Sequence, residues 1–404
     1  MNVTLVLGLL IGFGMSLAIG ANDVANSMAT AVGAKAITPK QAVFIAGILE
    51  FAGATFFGSQ VTETIRKGIV NIELLKDPNI VIIGSMAALI GATLWLVTAT
   101  IFSWPVSTTH SIVGGMVGYG IAAGGFGAVH WSKVLTITVS WLVAPVLGLI
   151  MSFVLFKIIS KTTLHGKNLE KKIKIWIPVY LALTFFIISL SFILKALHLS
   201  ITLKALLYAI LLGTAGGIIA FLIIIIKNKR EIKNPEMFVE KMFRKAQVVT
   251  SCYVALAHGA NDVANAIGPV AAIYAASISG TVGSEVEIPR FILAFGGIGI
   301  ALGVAIWGKR VMKTVGSDIT ELNNSRGFTI DFATATTVLG ASNLGMPVSS
   351  THTVVGSVIG IGLARGVGSI NTGIIKEIFM SWVLTVPASA IVGFLMFHLL
   401  NFIF

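Results

Sequence analysis

Two short polar clusters, each present twice, interrupt an otherwise apolar chain. Gly20-Ala21-Asn22-Asp23-Val24-Ala25-Asn26 returns unchanged as Gly259-Ala260-Asn261-Asp262-Val263-Ala264-Asn265. Each copy offers one carboxylate, Asp23 or Asp262, and two carboxamides, Asn22 and Asn26 or Asn261 and Asn265. These are hard oxygen ligands of the kind alkali cations accept. The second cluster, Trp104-Pro105-Val106-Ser107-Thr108-Thr109-His110, is echoed by Met346-Pro347-Val348-Ser349-Ser350-Thr351-His352. Proline has no amide hydrogen and fixes its own φ, so an apolar segment reaching Trp104-Pro105 breaks there, and Ser107 is placed to cap a new helix running through Ile112 to Ile121. The free amides of that helix start, joined by the hydroxyls of Ser107, Thr108 and Thr109, attract an anion. Ser349, Ser350 and Thr351 repeat the arrangement. A carboxylate at mid-membrane costs about 2.5–3.5 kcal/mol on insertion scales, and an anion beside it adds repulsion, so cations are the natural remedy. The expected arrangement is a central oxyanion flanked by cations.

These clusters sit in a membrane scaffold. Of 404 residues, 56% are hydrophobic and 11% charged, and the mean hydropathy is +0.95; a soluble domain carries about 25% charged residues. Apolar runs long enough to span a bilayer include Val3 to Ile19, Ile80 to Phe102, Val134 to Phe156, Ile175 to Leu194, Ile201 to Ile226, Phe291 to Trp307 and Ile374 to Phe397. The formal net charge of +12 reports topology rather than nucleic-acid binding. Lys157, Lys161, Lys167, Lys171, Lys172 and Lys174 crowd one connection, and Lys227, Lys229, Arg230, Lys233, Lys241, Arg244 and Lys245 another. Both are expected in the cytoplasm, with two spans between them and both termini on the outer face of the cell membrane. Residues 1–10 carry no Lys or Arg and lead directly into the repeated motif, so a cleaved signal peptide is not expected. Cys252 is alone and forms no disulfide within the chain.

The repeat extends along the chain. Ser140-Trp141 matches Ser381-Trp382, and the three pairs of motifs are 239, 242 and 241 residues apart. The first heptapeptide follows a span that begins outside, whereas the second follows one that begins at a cytoplasmic loop, so the halves are predicted to be inverted relative to each other. The fold class expected is an all-α polytopic membrane protein with two inverted-topology repeats, broken helices and re-entrant helical hairpins. The first repeat is assigned to residues 1–160, two linking helices with basic loops to 161–245, and the second repeat to 246–404. Gly20, Ala21, Gly259 and Ala260 suit close helix packing, and unwound backbone near the two glycines is expected to lend carbonyl oxygens to the cation sites.

Several residues carry competing readings. Glu50, within the apolar stretch Ile45 to Phe57, serves an additional cation or a gate, or else pairs with a loop lysine. His110 and His352 are read as packed, hydrogen-bonded residues behind the site rather than proton relays or metal ligands. Asp331 follows Asn323-Asn324-Ser325-Arg326-Gly327 and is read as a favourable charge at a helix start. Gln60, Glu63 and Arg66 are placed near an interface. At least one hydroxyl per half is expected only to cap its helix.

The doubled Gly-Ala-Asn-Asp-Val-Ala-Asn signature, the doubled Pro-Val-Ser-[Thr/Ser]-Thr-His segment and the inverted halves resemble the PiT family of inorganic phosphate transporters, over nearly the whole chain. The resemblance implies cation-coupled phosphate uptake by alternating access, with sodium used by one branch and protons by another. It also implies a homodimer of about twelve membrane segments, counting hairpins. On that reading, sodium ions occupy the Asp23 and Asp262 clusters, phosphate the hydroxyls, and no transition metal, cofactor or nucleic acid takes part. The alternative on the same fold is proton coupling, or a sulfate-type oxyanion. An intramembrane aspartyl enzyme is the remote alternative, disfavoured because the duplicated carboxamides and hydroxyls point to two equivalent ion sites rather than one acid pair.

Overall fold

The structure is a computed structural model and describes residues 3–102, 104, 106–166, 168–195, 202–226, 235–281, 287–315, 322–366 and 372–404. Among these residues it is all-helical, with no strand and one isolated bridge between Val70 and Val129. The first half contributes α1 (Val3–Gly33), α2 (Pro39–Phe57), α3 (Ser59–Gly68), the one-turn α4 (Ile72–Leu75), α5 (Pro78–Ile101), α6 (Thr108–Gly124) and α7 (Trp131–Ile159). A linking pair follows, α8 (Leu169–Lys195) and α9 (Leu203–Ile226). The second half contributes α10 (Pro235–Ser279), α11 (Arg290–Val315), α12 (Asn324–Asn343), α13 (Ser350–Arg365) and α14 (Thr372–Ile403). Eight helices among the described residues are long and apolar enough to cross a membrane. The hairpin helices α6, α12 and α13 and the long motif helix α10 are not among them.

Local chemistry sets the helix starts. Thr38 and Gln41 form a capping box ahead of Pro39, and the Asp77 side chain accepts from the Asn79 amide ahead of Pro78; such caps contribute about 1 kcal/mol each. Both hairpins break where expected. In the first, α5 ends at Ile101 and Ser107 caps α6; in the second, α12 ends at Asn343 and Ser349 caps α13. Pro105 itself lies outside the described residues, whereas Pro347 sits in the non-helical link of the second hairpin.

The halves are not side-by-side bodies. Helix α1 lies along α11, while α10 lies along α2; α6 packs on α14, while α13 packs on α7. These crossings are matched residue by residue. A methyl group at Gly20 would lie 2.0 Å from the Ile300 carbonyl oxygen, and one at Gly303 2.1 Å from that of Leu17. At the partner crossing, a methyl group at Gly259 would lie 2.1 Å from the Glu50 carbonyl oxygen, and one at Gly53 2.2 Å from that of Leu256. Backbones this close pack through van der Waals contact, the main attraction available between helices in lipid.

Three expectations need correction. Gly20 and Gly259 lie inside continuous helices α1 and α10, so their backbone is not unwound; the carbonyls there are engaged in the helix, and the glycines serve contact instead. The basic connections are shorter than the charge clusters suggest. Lys157 lies in the last turn of α7, and Lys171, Lys172 and Lys174 already belong to α8. Lys241, Arg244 and Lys245 ride on α10, because nothing in that stretch stops a helix after Pro235; Lys167, Lys227, Lys229, Arg230 and Lys233 lie outside the described residues. Finally, Asp331 is not at a helix start: Asn323 caps α12 through the Arg326 amide, leaving Asp331 two turns inside and buried.

Replacing Gly20 or Gly259 by alanine is expected to destabilise the protein by about 1–3 kcal/mol, because the obstacle is backbone that cannot rotate away. Gly14→Ala, also on α1 but with no atom within 4 Å of the added methyl, is expected to stabilise by about 0.5–1 kcal/mol through helix propensity. Thermal unfolding of detergent-solubilised protein checks the contrast.

Candidate functional site

The crossings bring the two heptapeptides together at the centre of the bundle. Asp23, Asn261, Asp262 and Asn265 are fully buried, and Asn22 and Asn26 nearly so. Within each motif the carboxylate and the second carboxamide are three residues apart, hence on one helix face. Asn26 Nδ2 donates to Asp23 Oδ1 at 3.2 Å, and Asn265 Nδ2 to Asp262 Oδ1 at 3.0 Å. The remaining carboxamides reach the hairpins. Asn22 Nδ2 donates to Thr100 Oγ1 at 2.8 Å, and Asn261 Nδ2 to the Val348 carbonyl at 2.7 Å.

The hairpin tips meet the motifs and each other. The hydroxyl of Thr108 lies 2.8 Å from Asp23 Oδ2 and 3.4 Å from Asp262 Oδ1, so one side chain touches both carboxylates. Two crossed relays follow the repeat. Asn26 Nδ2 donates to Thr351 Oγ1 at 2.8 Å, and that hydroxyl reaches the Val106 carbonyl at 3.4 Å. Asn265 Nδ2 donates to Thr109 Oγ1 at 3.3 Å, and that hydroxyl reaches the Val348 carbonyl at 3.1 Å. Ser107 and Ser349 are helix caps, each accepting from the histidine amide three residues on at 3.2 Å. Ser350 opens α13 and is buried. The amides of Thr108, Thr109, Ser350 and Thr351 lie in the first turns of α6 and α13, ahead of the first intrahelical bonds.

Not every acceptor is served. Asp262 Oδ2 and Asn265 Oδ1 are buried without a hydrogen-bond donor. His258 Nε2 lies 3.1 Å from Asp262 Oδ2, within ion-pair distance. Buried oxygens left this way are costly unless a ligand serves them.

His258 was not among the residues singled out in the sequence. Its ring lies between three carboxylates, with Nδ1 3.3 Å from Glu50 Oε1 and Nε2 3.1 Å from Asp262 Oδ2 and 3.7 Å from Asp23 Oδ2. One ligand atom each from Asp23, His258 and Asp262 fall within 4.8 Å of one another. The signal available was spacing: His258 precedes Asp262 by one helical turn. Glu50 is fully buried, accepts from Ser27 Oγ at 2.8 Å and faces this histidine, so its partner is not a loop lysine. At the matching crossing the equivalent positions are Ile300 and Ile19, both fully buried. The acid–histidine pair is therefore a local departure from the repeat.

A fourth buried carboxylate stands apart. Asp331 accepts from Thr30 Oγ1 at 2.5 Å and Ser251 Oγ at 2.6 Å, tying α1, α10 and α12 together. His110 and His352 stack against Trp141 and Trp382 with ring centroids 3.7 and 3.5 Å apart, and meet each other at 4.3 Å. The packing agrees with the expectation, but the hydrogen bonding does not: both ring nitrogens of His110 and Nε2 of His352 are buried without a hydrogen-bond partner among the described residues. Gln60 is exposed, while Arg66 is buried and pairs with Glu63 at 2.9 Å.

The profile described as the phosphate transporter family matches residues 19–393. A candidate phosphate permease of Pyrococcus furiosus is 54% identical over 98% of this chain and 96% of its own. The chloroplastic inorganic phosphate transporter 2-1 of Arabidopsis thaliana is 41% identical over 95% of this chain and 70% of its own. A solved structure described as the sodium-dependent phosphate transporter is 48% identical and superposes with a TM-score of 0.94, covering 100% of both chains.

Glu50→Ile or His258→Ile alone is expected to destabilise by about 3 kcal/mol, since each strands a buried polar partner. The double substitution recreates the isoleucine pair of the other crossing and should recover most of that loss. A double-mutant cycle on unfolding in detergent measures the coupling.

Proposed function

The chain belongs to the phosphate transporter family, and from that premise we propose that it is a sodium-coupled symporter of inorganic phosphate in the cell membrane. It is a multi-pass membrane transporter and not an enzyme. The observation that carries the sodium reading is the cluster of buried oxygens on one face of α10, where Asn265 Oδ1 has no donor among the described residues and Asp262 Oδ2 faces His258 Nε2 at 3.1 Å. A cation satisfies acceptors that the protein leaves unserved, and carboxylate, carboxamide and hydroxyl oxygens suit a hard alkali ion. The sodium-dependent neighbour, at 48% identity, supports the choice of ion.

The proposed roles follow from charge. Sodium ions bind at Asp23 with Asn22 and Asn26, and at Asp262 with Asn261 and Asn265. Asn22 and Asn261 contribute carbonyl oxygens while their amide nitrogens hold the hairpin tips. Phosphate sits between the tips, held by the hydroxyls of Thr108, Thr109, Ser350 and Thr351 and the amides at the starts of α6 and α13; Ser107 and Ser349 cap those starts. Because Thr108 touches both aspartates, cation binding bears directly on a side chain of the anion site. Sodium bound first cancels the repulsion that two carboxylates exert on phosphate. A loaded or cation-free site then closes as the two inverted repeats, 1–160 and 246–404, alternate access. Each net positive charge moved inward gains about 2.3 kcal/mol per 100 mV, so a cation excess drives phosphate into a negative cell. Both termini face outward on this topology, and the protein forms a homodimer.

One observation favours a second reading. His258, set among Glu50, Asp23 and Asp262, offers a place for a coupled proton in addition to or instead of sodium.

Phosphate uptake into vesicles containing purified protein is expected to require an inward sodium gradient; equal uptake in potassium or choline, driven by a pH gradient, would replace sodium by protons. Asp23→Asn and Asp262→Asn are expected to abolish sodium dependence. Thr109→Ala and Thr351→Ala should raise the half-saturating phosphate concentration by about tenfold or more, as loss of a hydrogen bond to a charged group does. The same loss of sodium and phosphate affinity in all four variants would contradict this division of labour.

A further inference from the structure

The two crossed relays share one design but not one outcome. A threonine hydroxyl carries a single hydrogen. Thr351 accepts from Asn26 and so directs its hydrogen to the Val106 carbonyl; Thr109 accepts from Asn265 and directs its own to the Val348 carbonyl. Val348 has a second donor, because Asn261 Nδ2 lies 2.7 Å from its oxygen. The equivalent carboxamide, Asn22, turns to Thr100 instead. Val106 is buried, and among the described residues the donor found for its carbonyl is the Thr351 hydroxyl, at a long 3.4 Å.

An oxyanion bound between the tips competes for that one hydrogen. When Thr351 donates to the anion, the Val106 carbonyl loses its donor inside a buried site, a penalty that falls on the complex. An anion with an O–H group removes the penalty by donating to Val106 while it accepts from Thr351. A fully deprotonated tetrahedral anion has nothing to donate.

Building on the phosphate reading above, we propose that the Val106 carbonyl is the specificity-determining acceptor of this site: it selects tetrahedral oxyanions that carry an acidic O–H, and rejects those of the same size and charge that lack one. The selecting atom belongs to the backbone, held by the Ser107 cap at the start of α6, so its position does not depend on a side-chain rotamer. Hydrogen phosphate and arsenate meet the requirement; sulfate and monofluorophosphate do not. The discrimination arises without any positively charged side chain at the tips, through one acceptor and one shared hydrogen.

Monofluorophosphate is the decisive probe, since at pH 7.5 it is a tetrahedral dianion like hydrogen phosphate with fluorine in place of the hydroxyl. Competition with labelled phosphate is measured on the intact protein in vesicles with saturating sodium. Arsenate is expected to compete within tenfold of unlabelled phosphate. Monofluorophosphate and sulfate are expected to be weaker by about 100-fold, the scale on which a site rejects an analogue that strands a buried polar group. Monofluorophosphate competing within tenfold of phosphate would overturn the proposal while leaving phosphate transport intact. Failure of phosphate itself to bind would instead fell the transport reading, and the selectivity with it. A backbone ester at the Val106–Ser107 link, made by replacing Ser107 with its α-hydroxy acid, weakens the Val106 acceptor and should narrow the gap between phosphate and monofluorophosphate. An unchanged gap in folded ester protein would also overturn the assignment.

Discussion

Everything at the centre of this protein depends on two places where backbone meets backbone without an intervening side chain. Gly20 lies against Ile300 and Gly259 against Glu50, and each glycine precedes its aspartate by three residues. Close approach and charge placement are therefore a single event. Three residues is just under one helical turn, so packing the glycine face to its limit also fixes the direction and depth of the carboxylate. A bulkier crossing would push α1 from α11 and α10 from α2, and the hairpin tips would lose the partners that now reach them from both motif helices.

The exchange of partners between halves has a consequence for the polar network. Thr108 of the first hairpin lies beside Asp23 and Asp262 alike, and Asn26 of the first half donates to Thr351 of the second. Neither half completes its own site. Groups suited to cations and groups suited to an anion thus share hydrogen bonds, which gives a direct physical route for coupling their occupancies. In a low-dielectric interior such a network is stable only when its donors and acceptors are nearly all served.

The repeat is strict where backbones cross and loose where charges are tuned. Glu50 and His258 stand where the other crossing has Ile300 and Ile19; Asn22 and Asn261, identical in type, choose different partners. Asp331 adds a carboxylate bonded to Thr30 and Ser251 across three helices. A molecule built from two copies of one plan acquires different behaviour on its two sides through such substitutions, since symmetric crossings tolerate either an apolar pair or a paired acid and histidine of similar volume.

Much of this was legible in the chain. Asp23, Asp262, their asparagines and the doubled hydroxyl triplets stood out because an apolar environment makes every polar group conspicuous, and duplication at a constant offset showed that they belong to one plan. The hairpin breaks were legible as well, because proline and an N-cap act locally. Local rules misled where tertiary contact overrides them. Gly20 and Gly259 suggested unwound backbone but serve contact between intact helices; Asp331 suggested a helix start, yet the cap lay at Asn323; His258 attracted no notice as a lone histidine ahead of a glycine. Residue type and spacing by themselves determined the membrane scaffold and the repeat, because those follow from solvation and from the geometry of a single helix. Only the tertiary structure decided which donor faces which acceptor, that His258 stands among three acids, and that among the described residues Val106 lacks the second donor given to Val348. Those facts arise where helices distant in sequence come within hydrogen-bond reach, and no local property of the chain encodes that distance.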